Sequence, residues 1–446
     1  MQLIPFPPPA AWPALCRRPA ADLSRLYPQV RAIFSEVAAR GDAALADYTT
    51  RFDRVAVARP IVWDGAAIDT AAALVTTAVR RAIAAAARNL RAFHAAAPSG
   101  DYTLDTAPGV RCWARRVPLD RVGLYVPGGS APLFSSLLML AVPARLAGCA
   151  ELVVCTPPGP GGALAPTIAA AARALGIDRI VGVGGAQAVA ALALGTPTVP
   201  KVDKICGPGN RWVTAAKQLA QAEYGTALDL PAGPSEVLIL ADGRANPAWV
   251  AADLLAQAEH GPDSQVMLVS NDDALLRVTL AEVERQAARL PRREVVARAL
   301  AESRAIRVRD LDEGLAFAEA YAPEHLLLAV ADPHRLARRV HRAGSVFVGD
   351  YTAEACGDYA SGPNHTLPTA GAAAAYSGVS VETFTRRITF QELTPAGLAH
   401  LAPTVVALAE AEGLAAHSAA VRVRLAPDAA PAETFEKLAG EEVSRG

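Results

Sequence analysis

This sequence is poor in cysteine and lysine, and it contains no block of like charges. Its six cysteines in 446 residues show no CxxC spacing, which argues against a disulfide framework and predicts reduced thiols in a cytoplasmic protein. The formal net charge is −1, so neither a nucleic acid nor a membrane surface is an expected partner. Of only four lysines, three lie close together at positions 201, 204 and 217, which singles out this stretch as a candidate polar site.

Export and membrane signals are missing as well. The first residues, MQLIPFPPPAAW, have no cationic start and are interrupted by four prolines, so no signal peptide is expected. Apolar runs such as residues 133–147 are too short and too interrupted to cross a bilayer.

Length and hydrophobic pattern predict an α/β fold. A chain of 446 residues, of which 52% are hydrophobic, is large enough for several domains. Between residues 122 and 241, short β-branched runs alternate with helical patterns, and a second alternation follows over residues 236–350. This alternation predicts parallel, doubly wound sheets, and we expect two Rossmann-like domains with small extensions at both ends of the chain.

The changes of pattern also predict domain boundaries. Residues 1–24 are expected to form an extended, proline-rich arm with little structure of its own. A first α/β domain is expected to combine residues 25–121 with 236–380, and a second to span residues 122–235. Residues 381–446 are expected to form a helical C-terminal extension.

The stretch 354–369, which reads EACGDYASGPNHTLPT, is a candidate functional loop. Its glycines and proline predict a loop rather than a helix or strand. It carries an acid and an imidazole, Asp358 and His365, and it follows a predicted strand over residues 345–350. We therefore expect it at the carboxyl end of a sheet strand, where open α/β folds bind their ligands.

Gln257 and His260 form a second candidate group. They lie three residues apart near the end of a predicted helix over residues 247–260, so their side chains can point the same way. Histidine with carboxylate or carbonyl oxygens suits a divalent ion such as zinc, and Asp358 could supply the carboxylate. A histidine at a helix end is more often a cap or a surface group, so both interpretations stay open.

Glu324 and His325 are adjacent at the entrance of a predicted strand over residues 325–330. Burial of that strand would make His325 a packing residue, whereas a glutamate at its mouth favours acid–base chemistry. The pair is therefore a candidate acid–base pair, with core packing as the alternative.

Three glycine-rich turns precede helices or strands within the α/β pattern: GVGGAQ (182–187), CGPGNRW (206–212) and PAGPSE (231–236). The first fails the dinucleotide fingerprint, because position 187 is Gln instead of the third glycine. The second has backbone amides that could hold a phosphate. Together the three turns favour a bound nucleotide, so the residues alone indicate an α/β enzyme with a nucleotide and a metal, its reaction left open.

Several long motifs resemble those of one known family. They lie within residues 115–423 and read VGLYVPGGSAPLFSS, GVGGAQAVAALALGT, KICGPGN, DLPAGPSEVLILAD, DLLAQAEH, APEHL and GDYASGPNHTLPT. On these motifs the sequence is similar to the L-histidinol dehydrogenase family.

The resemblance implies an activity, two cofactors and an assembly. The family oxidises L-histidinol through an aldehyde to L-histidine, the last steps of histidine biosynthesis, and uses two NAD. It binds one zinc per subunit and works as an intertwined homodimer. By matching motif positions, Gln257, His260 and Asp358 resemble zinc ligands, and His417 resembles the ligand that the C-terminal extension supplies to the partner subunit.

The resemblance also implies roles for individual residues. Glu324 and His325 resemble the acid–base pair, in which His325 takes protons and Glu324 activates water for the second oxidation. The residues that resemble NAD contacts, all in the second domain, are Tyr125, Gln187 and Asn210. The residues that resemble substrate contacts are Ser235, Gln257, His260, His325, Asp358, His365, Glu412 and His417.

Two other functions compete with this interpretation. One is oxidation of a different small alcohol by a relative on the same scaffold. The presence of His365, Glu412 and His417 favours an imidazole-bearing substrate over such an alcohol. The other is nucleotide binding without catalysis, which the intact pair Glu324 and His325 argues against.

Overall fold

The computed structural model describes residues 1–19, 23–98, 100–128, 132–231 and 233–426. The strands within these ranges are β1 (Gln2–Pro5), β2 (Ile61–Trp63), β3 (Tyr102–Ala107), β4 (Val110–Pro118), β5 (Arg121–Tyr125), β6 (Glu151–Thr156), β7 (Ile180–Gly182), β8 (Lys204–Cys206), β9 (Ala227–Leu228), β10 (Glu236–Ala241), β11 (Gln265–Ser270), β12 (Arg304–Arg307), β13 (His325–Ala329), β14 (Ser345–Val348) and β15 (Thr385–Leu393).

The α-helices of the same ranges are α1 (Trp12–Leu15), α2 (Tyr27–Arg40), α3 (Asp42–Tyr48), α4 (Gly65–Ala73), α5 (Thr77–Ala95), α6 (Phe134–Ala147), α7 (Pro166–Ala174), α8 (Gly185–Leu194), α9 (Arg211–Tyr224), α10 (Pro247–Ala258), α11 (Asp273–Ala287), α12 (Arg293–Ala301), α13 (Leu311–Tyr321), α14 (Pro333–Ala337), α15 (Glu354–Tyr359), α16 (Pro395–Ala411) and α17 (Ala415–Leu425). None of these helices has both the length and the apolar character that a membrane crossing requires.

The first sheet has the strand order β1-β12-β11-β10-β13-β14, and each neighbouring pair is parallel. Every residue of β10 and β11 is buried, as a parallel sheet covered on both faces requires. Alternate residues of β10 enter two different cores: Val237 and Ile239 pack with α10, and Leu238 and Leu240 pack with α13.

The second sheet has the order β2-β7-β6-β5-β8-β9. Its pairs are parallel except at the edge, where β2 runs antiparallel to β7. Hydrophobic cores lie on both of its faces as well. Two parallel sheets, each covered by helices on both sides, confirm the predicted α/β class.

Helices α2 to α5 pack on the second sheet rather than the first. Helix α2 contacts α8 and α9, α4 contacts α7, and α5 contacts α6. This differs from the expectation that residues 25–121 join residues 236–380 in one domain. The apolar stripes of these helices predict burial but do not specify the partner, and the short strand β2 that ties them to β7 is too brief to predict.

The amino-terminal arm also has more structure than predicted. Strand β1 adds to the edge of the first sheet by pairing with β12. Trp12 packs edge-on against Phe317 of α13, with ring centroids 5.5 Å apart. Residues 1–19 are therefore bound to the first sheet by hydrogen bonds and by aromatic packing.

Within the described residues, a smaller compact unit comprises residues 98 and 100–117 together with 386–426. It contains the sheet β15-β4-β3 and the helices α16 and α17, which pack on each other. The Thr394 side chain caps α16 by accepting a hydrogen bond from the Gly397 N–H at 3.0 Å. This unit carries the predicted C-terminal site residues.

The stretch 354–369 is not entirely a loop, because its first residues form α15. Gly357 stands inside this helix and faces Phe347 of β14, and a Cβ at this position would lie 2.6 Å from the Phe347 ring. The glycine that seemed to forbid a helix thus allows the helix to approach the strand closely. Helix α15 carries Asp358.

Candidate active site

Most of the predicted site residues gather at the amino edge of the first sheet. Glu236 and His325 are the first residues of β10 and β13, and α10 runs back from the carboxyl end of β10 to finish beside that edge. The His325 Nε2 atom lies 3.8 Å from the Asp358 Oδ1 atom. The expectation of a site at the carboxyl ends of these strands is therefore wrong, because α15 returns Asp358 toward the edge where β13 begins.

Asp358 is the residue that joins the three histidines of the site. Its Oδ2 atom lies 3.6 Å from His260 Nε2, and its Oδ1 atom lies 3.8 Å from His325 Nε2. Its backbone carbonyl accepts a hydrogen bond from His365 Nδ1 at 2.7 Å. Burial raises the pKa of Asp358, but the His260 hydrogen bond and the charges of the histidines outweigh it, and the net shift is downward.

His325 is held in one tautomer by the backbone of β10. Its Nδ1 atom lies 3.2 Å from the carbonyl oxygen of Glu236, so Nδ1 carries the hydrogen and Nε2 keeps a free lone pair. Burial lowers the pKa of His325 to about 4. The imidazole is therefore neutral at pH 7 and can accept a proton at Nε2.

Glu324 is buried beside His325. Its Oε2 atom accepts a hydrogen bond from the backbone N–H of Glu236 at 2.8 Å and lies 3.8 Å from His325 Nδ1. Burial raises the pKa of Glu324 well above its ordinary value. A carboxyl group with a raised pKa, next to a neutral imidazole, is the arrangement that acid–base catalysis requires.

A group of nitrogen and oxygen ligands can hold a divalent cation here. His260, Glu354 and Asp358 each offer one ligand atom, and these atoms lie within 4.8 Å of one another. Gln257 adjoins them: with both amide atoms satisfied, its nitrogen donates to Glu354 Oε1 at 2.6 Å and its oxygen accepts from the Glu236 N–H at 3.0 Å. This donor set, without a thiolate, fits a cation such as zinc.

Two buried acids of this site had no predicted role. Glu354 lies four residues before Asp358, a spacing that places both on one face once α15 is recognised as a helix. Glu236 opens a strand made only of buried residues, where a charged side chain demands a partner. The second signal was available in the sequence, whereas the first required the helix α15, which the glycine in this stretch argued against.

The predicted NAD contacts lie together at the carboxyl edge of the second sheet. Tyr125 ends β5, Gln187 lies in the first turn of α8, and Asn210 precedes α9. The Tyr125 hydroxyl accepts a hydrogen bond from the Gly185 N–H at 3.1 Å, and Asn210 Oδ1 accepts from the first amides of α9. Two helix N-termini at one sheet edge provide backbone donors for an anionic group such as a phosphate.

A buried ion pair fixes the turn that leads to Asn210. Gly207 has φ +123°, and a Cβ there would lie 2.2 Å from the Tyr125 carbonyl oxygen. The Lys217 ammonium donates to the Gly207 carbonyl at 3.0 Å and to Asp229 at 2.5 Å, and Asp229 accepts from the Gly207 N–H at 2.7 Å. One of the three clustered lysines therefore holds this glycine turn.

Ser235 lies at the amino edge of the first sheet, whereas Glu412 and His417 lie in the smaller unit. Ser235 directly precedes β10, and its carbonyl accepts a hydrogen bond from the Gln265 N–H at 3.2 Å. Glu412 and His417 belong to the smaller unit, where Glu412 is the C-cap that follows α16 and His417 lies in the first turn of α17. Both of these side chains are exposed.

Comparison with known proteins decides the family. The family model for histidinol dehydrogenase matches residues 16–425. The chain belongs to the histidinol dehydrogenase family. It is 49% identical to a histidinol dehydrogenase of Bacteroides thetaiotaomicron, over 95% of this chain and 99% of that protein.

Further relatives agree with this assignment. The chain is 52% identical to a histidinol dehydrogenase of Xylella fastidiosa, over 89% of this chain and 92% of the relative. A crystal structure of the histidinol dehydrogenase of Elizabethkingia anophelis superposes with a TM-score of 0.91 at 46% identity, covering 95% of this chain and 98% of that one. The resemblance read from the motifs is confirmed, and the chain is an oxidoreductase of this family.

The close approach of α15 to β14 can be tested by adding a single methyl group. Gly357→Ala places a Cβ 2.6 Å from the Phe347 ring, and we expect the free energy of unfolding to fall by about 1–3 kcal/mol through overpacking. Denaturant titration measures the change. The control Ala355→Ser, on the exposed face of the same helix, should stay within about 0.5 kcal/mol. A Gly357→Ala protein as stable as the wild type would contradict this packing.

Proposed function

We propose that this protein oxidises L-histidinol to L-histidine in two steps, with Zn²⁺ as its resident cation and NAD as the acceptor of each hydride. One observation carries the proposal: Asp358 lies between His260, a candidate cation ligand, and His325, a candidate base. The candidate cation ligand therefore lies beside one carboxylate oxygen of Asp358, and the candidate base lies beside the other. Membership of the histidinol dehydrogenase family supports the choice of substrate.

The cation would be held by Gln257, His260 and Asp358, with the partner subunit's His417 as the fourth ligand. A cation in this position would bind the amino and imidazole nitrogens of the substrate, and it would orient the substrate rather than act mainly as a Lewis acid. Glu354, which accepts from the Gln257 amide, would fix the direction of that amide. The donor set of nitrogen and oxygen atoms supports this assignment.

In the first oxidation His325 takes the hydroxyl proton at Nε2. The carbonyl of Glu236 fixes the tautomer that leaves Nε2 unprotonated, and burial keeps the ring neutral. A hydride leaves the carbon that bears this hydroxyl group, and NAD would accept it. Loss of a proton and a hydride converts the alcohol to an aldehyde.

In the second oxidation Glu324 activates a water molecule, whose oxygen adds to the aldehyde to give a gem-diol. His325, once it has released its first proton, takes a proton from this diol; loss of a second hydride, to a second NAD, gives the carboxylic acid, which ionises to the carboxylate. Both side chains are buried, so bulk water is excluded while the aldehyde is held. The raised pKa of Glu324 brings it toward the range of an effective acid–base group.

Tyr125, Gln187 and Asn210 are the proposed NAD contacts, and Ser235, His365 and Glu412 are proposed substrate contacts. The carboxyl edge of the second sheet, with two helix N-termini, supports the dinucleotide assignment for residues 122–235. His365 donates from Nδ1 to the carbonyl of Asp358, so its Nε2 atom stays available for a substrate donor.

A homodimer that shares its sites is part of the proposal. Glu412 and His417 are exposed in the smaller unit, and apolar side chains of the same helical segment are exposed with them, among them Leu408, Leu414 and Val423. Exposed apolar side chains next to functional side chains are typical of an interface with another chain. The six cysteines are unpaired, which supports a cytoplasmic location.

Turnover with L-histidinol tests the reaction. We expect two NADH for each L-histidinol consumed, because oxidation of an alcohol to a carboxylate removes four electrons. A chelator should abolish the activity, and Zn²⁺ should restore it. Absorbance of NADH, combined with chromatographic measurement of L-histidine, gives the stoichiometry. No turnover with L-histidinol, together with turnover of another small alcohol, would contradict the proposal.

Glu324→Gln separates the two oxidations. The amide cannot activate water, so oxidation of histidinal by NAD should slow by about 10²–10⁴-fold. Reduction of histidinal by NADH, the reverse of the first step, should change much less. Both rates are measured by NADH absorbance on the same preparation. The control Glu302→Gln alters an exposed glutamate and should leave both rates unchanged; equal losses in both directions for Glu324→Gln would exclude its assigned role.

Subunit complementation tests the shared site. Asp358→Asn and His417→Asn should each be inactive alone. When the two chains are co-assembled at random, about half of the dimers are mixed, and each mixed dimer has one site without a substitution. We therefore expect about a quarter of the wild-type activity from the mixture. Activity no higher than that of the separate variants would show that Asp358 and His417 do not act across two chains.

A further inference from the structure

The amino-terminal arm reaches the acid–base pair through one arginine. Arg18 donates from Nε and from Nη2 to the two carboxylate oxygens of Glu236, both at 2.8 Å. The Glu236 side chain is only 1% exposed and that of Arg18 15% exposed, so the pair is withdrawn from water. Paired donors of this kind fix a carboxylate in direction as well as in distance.

Glu236 in turn contacts both members of the acid–base pair. Its N–H donates to Glu324 Oε2 at 2.8 Å, its carbonyl oxygen lies 3.2 Å from His325 Nδ1, and its Oε1 atom accepts from the Glu324 N–H at 3.3 Å. One residue therefore sets the direction of the Glu324 carboxyl group and the tautomer of His325. The same Glu236 N–H also donates to the amide oxygen of Gln257, and this hydrogen bond links Glu236 to a proposed cation ligand.

Arg18 is itself fixed on its far side. Its guanidinium lies 3.6 Å from the centroid of the Tyr321 ring, and its Nη2 atom donates to the Tyr321 carbonyl at 2.5 Å. Tyr321 is fully buried, and its hydroxyl donates to Gln265 Oε1 at 2.9 Å. An ammonium group cannot reproduce these contacts, because it does not stack flat on a ring and lacks the planar pair of donors that matches a carboxylate.

We propose that Arg18 is a positioning residue for catalysis, which acts through Glu236 to hold Glu324 and His325 in their reactive orientation. The inference rests on the proposed function, since it assigns a purpose to the orientation of that pair. Without Arg18 the Glu236 carboxylate is left buried without its paired donors, and it must turn toward water or toward another donor. That turn breaks its contact with the Glu324 N–H, and it shifts the start of β10, where the backbone N–H and carbonyl of Glu236 hold Glu324 Oε2 and His325 Nδ1.

Three variants test this inference on the zinc-loaded dimer. Arg18→Met keeps much of the side-chain length and removes every donor, Arg18→Lys keeps the charge and loses the paired geometry, and Arg17→Met removes the exposed neighbouring charge as a control. The measurements are zinc content, thermal midpoint, and kcat and KM for L-histidinol and for NAD. The kcat is expressed per zinc-loaded site, so that a smaller active fraction does not count as slower chemistry.

We expect kcat to fall about 10- to 100-fold in Arg18→Met, as a displaced catalytic pair requires, with both KM values within about threefold of the wild type. Arg18→Lys should recover part of the loss, and Arg17→Met should remain within about twofold of the wild-type kcat. Wild-type kcat per loaded site in Arg18→Met, or a change confined to KM, would overturn the inference.

Two further outcomes separate the possible failures. Should Arg18→Met not fold, Glu236→Gln replaces the charge in nearly the same shape, and it should show the same loss of kcat at unchanged KM; an undiminished kcat there overturns the inference. Wild-type protein that does not oxidise L-histidinol would overturn the proposed function and this inference together. Active wild-type protein beside a fully active Arg18→Met variant would overturn this inference alone.

Discussion

Burial of four acidic side chains at one edge of the first sheet is the constraint on which the site depends: Glu236, Glu324, Glu354 and Asp358. Like charges withdrawn from water cannot stay together unless each is paired, protonated or bound to a cation. Arg18 pairs with Glu236, and the histidines around Asp358 lower its pKa. Burial and the neighbouring acids raise the pKa of the other two carboxyl groups. The divalent cation proposed here would supply the counter-charge for this arrangement.

The path of the chain explains how two sheets contribute to one proposed reaction. Strand β9 ends at the carboxyl edge of the second sheet, and the next strand of the chain, β10, begins at the amino edge of the first sheet. The proposed site residues therefore lie at the amino ends of the strands in the first sheet and at the carboxyl ends of the strands in the second sheet. Backbone donors at helix N-termini suit the dinucleotide, whereas the ends of α10 and α15 bring the cation ligands to the starts of β10 and β13.

The fold class and the family could be predicted from the sequence. The features that could not be predicted depend on tertiary contacts, which a local sequence pattern does not show. Alternating patterns predicted the α/β class, and long motifs identified the family. Helix α15 was predicted as a loop because Gly357 breaks helices in isolation, whereas tertiary packing against Phe347 favours it here. Glu354 was missed with that helix. The role of Arg18 depends on a contact to Glu236 across more than two hundred positions, which no local pattern in the arm can indicate.

Anomalous diffraction at the zinc edge, from crystals of active protein, would locate the cation itself. We expect one peak per chain, about 2.0–2.2 Å from a ring nitrogen of His260 and from a carboxylate oxygen of Asp358, at the amino edge of the first sheet. Gln257 should lie beside the same peak. A zinc peak at another place in an active crystal, with His260 and Asp358 unliganded, would contradict the site described here.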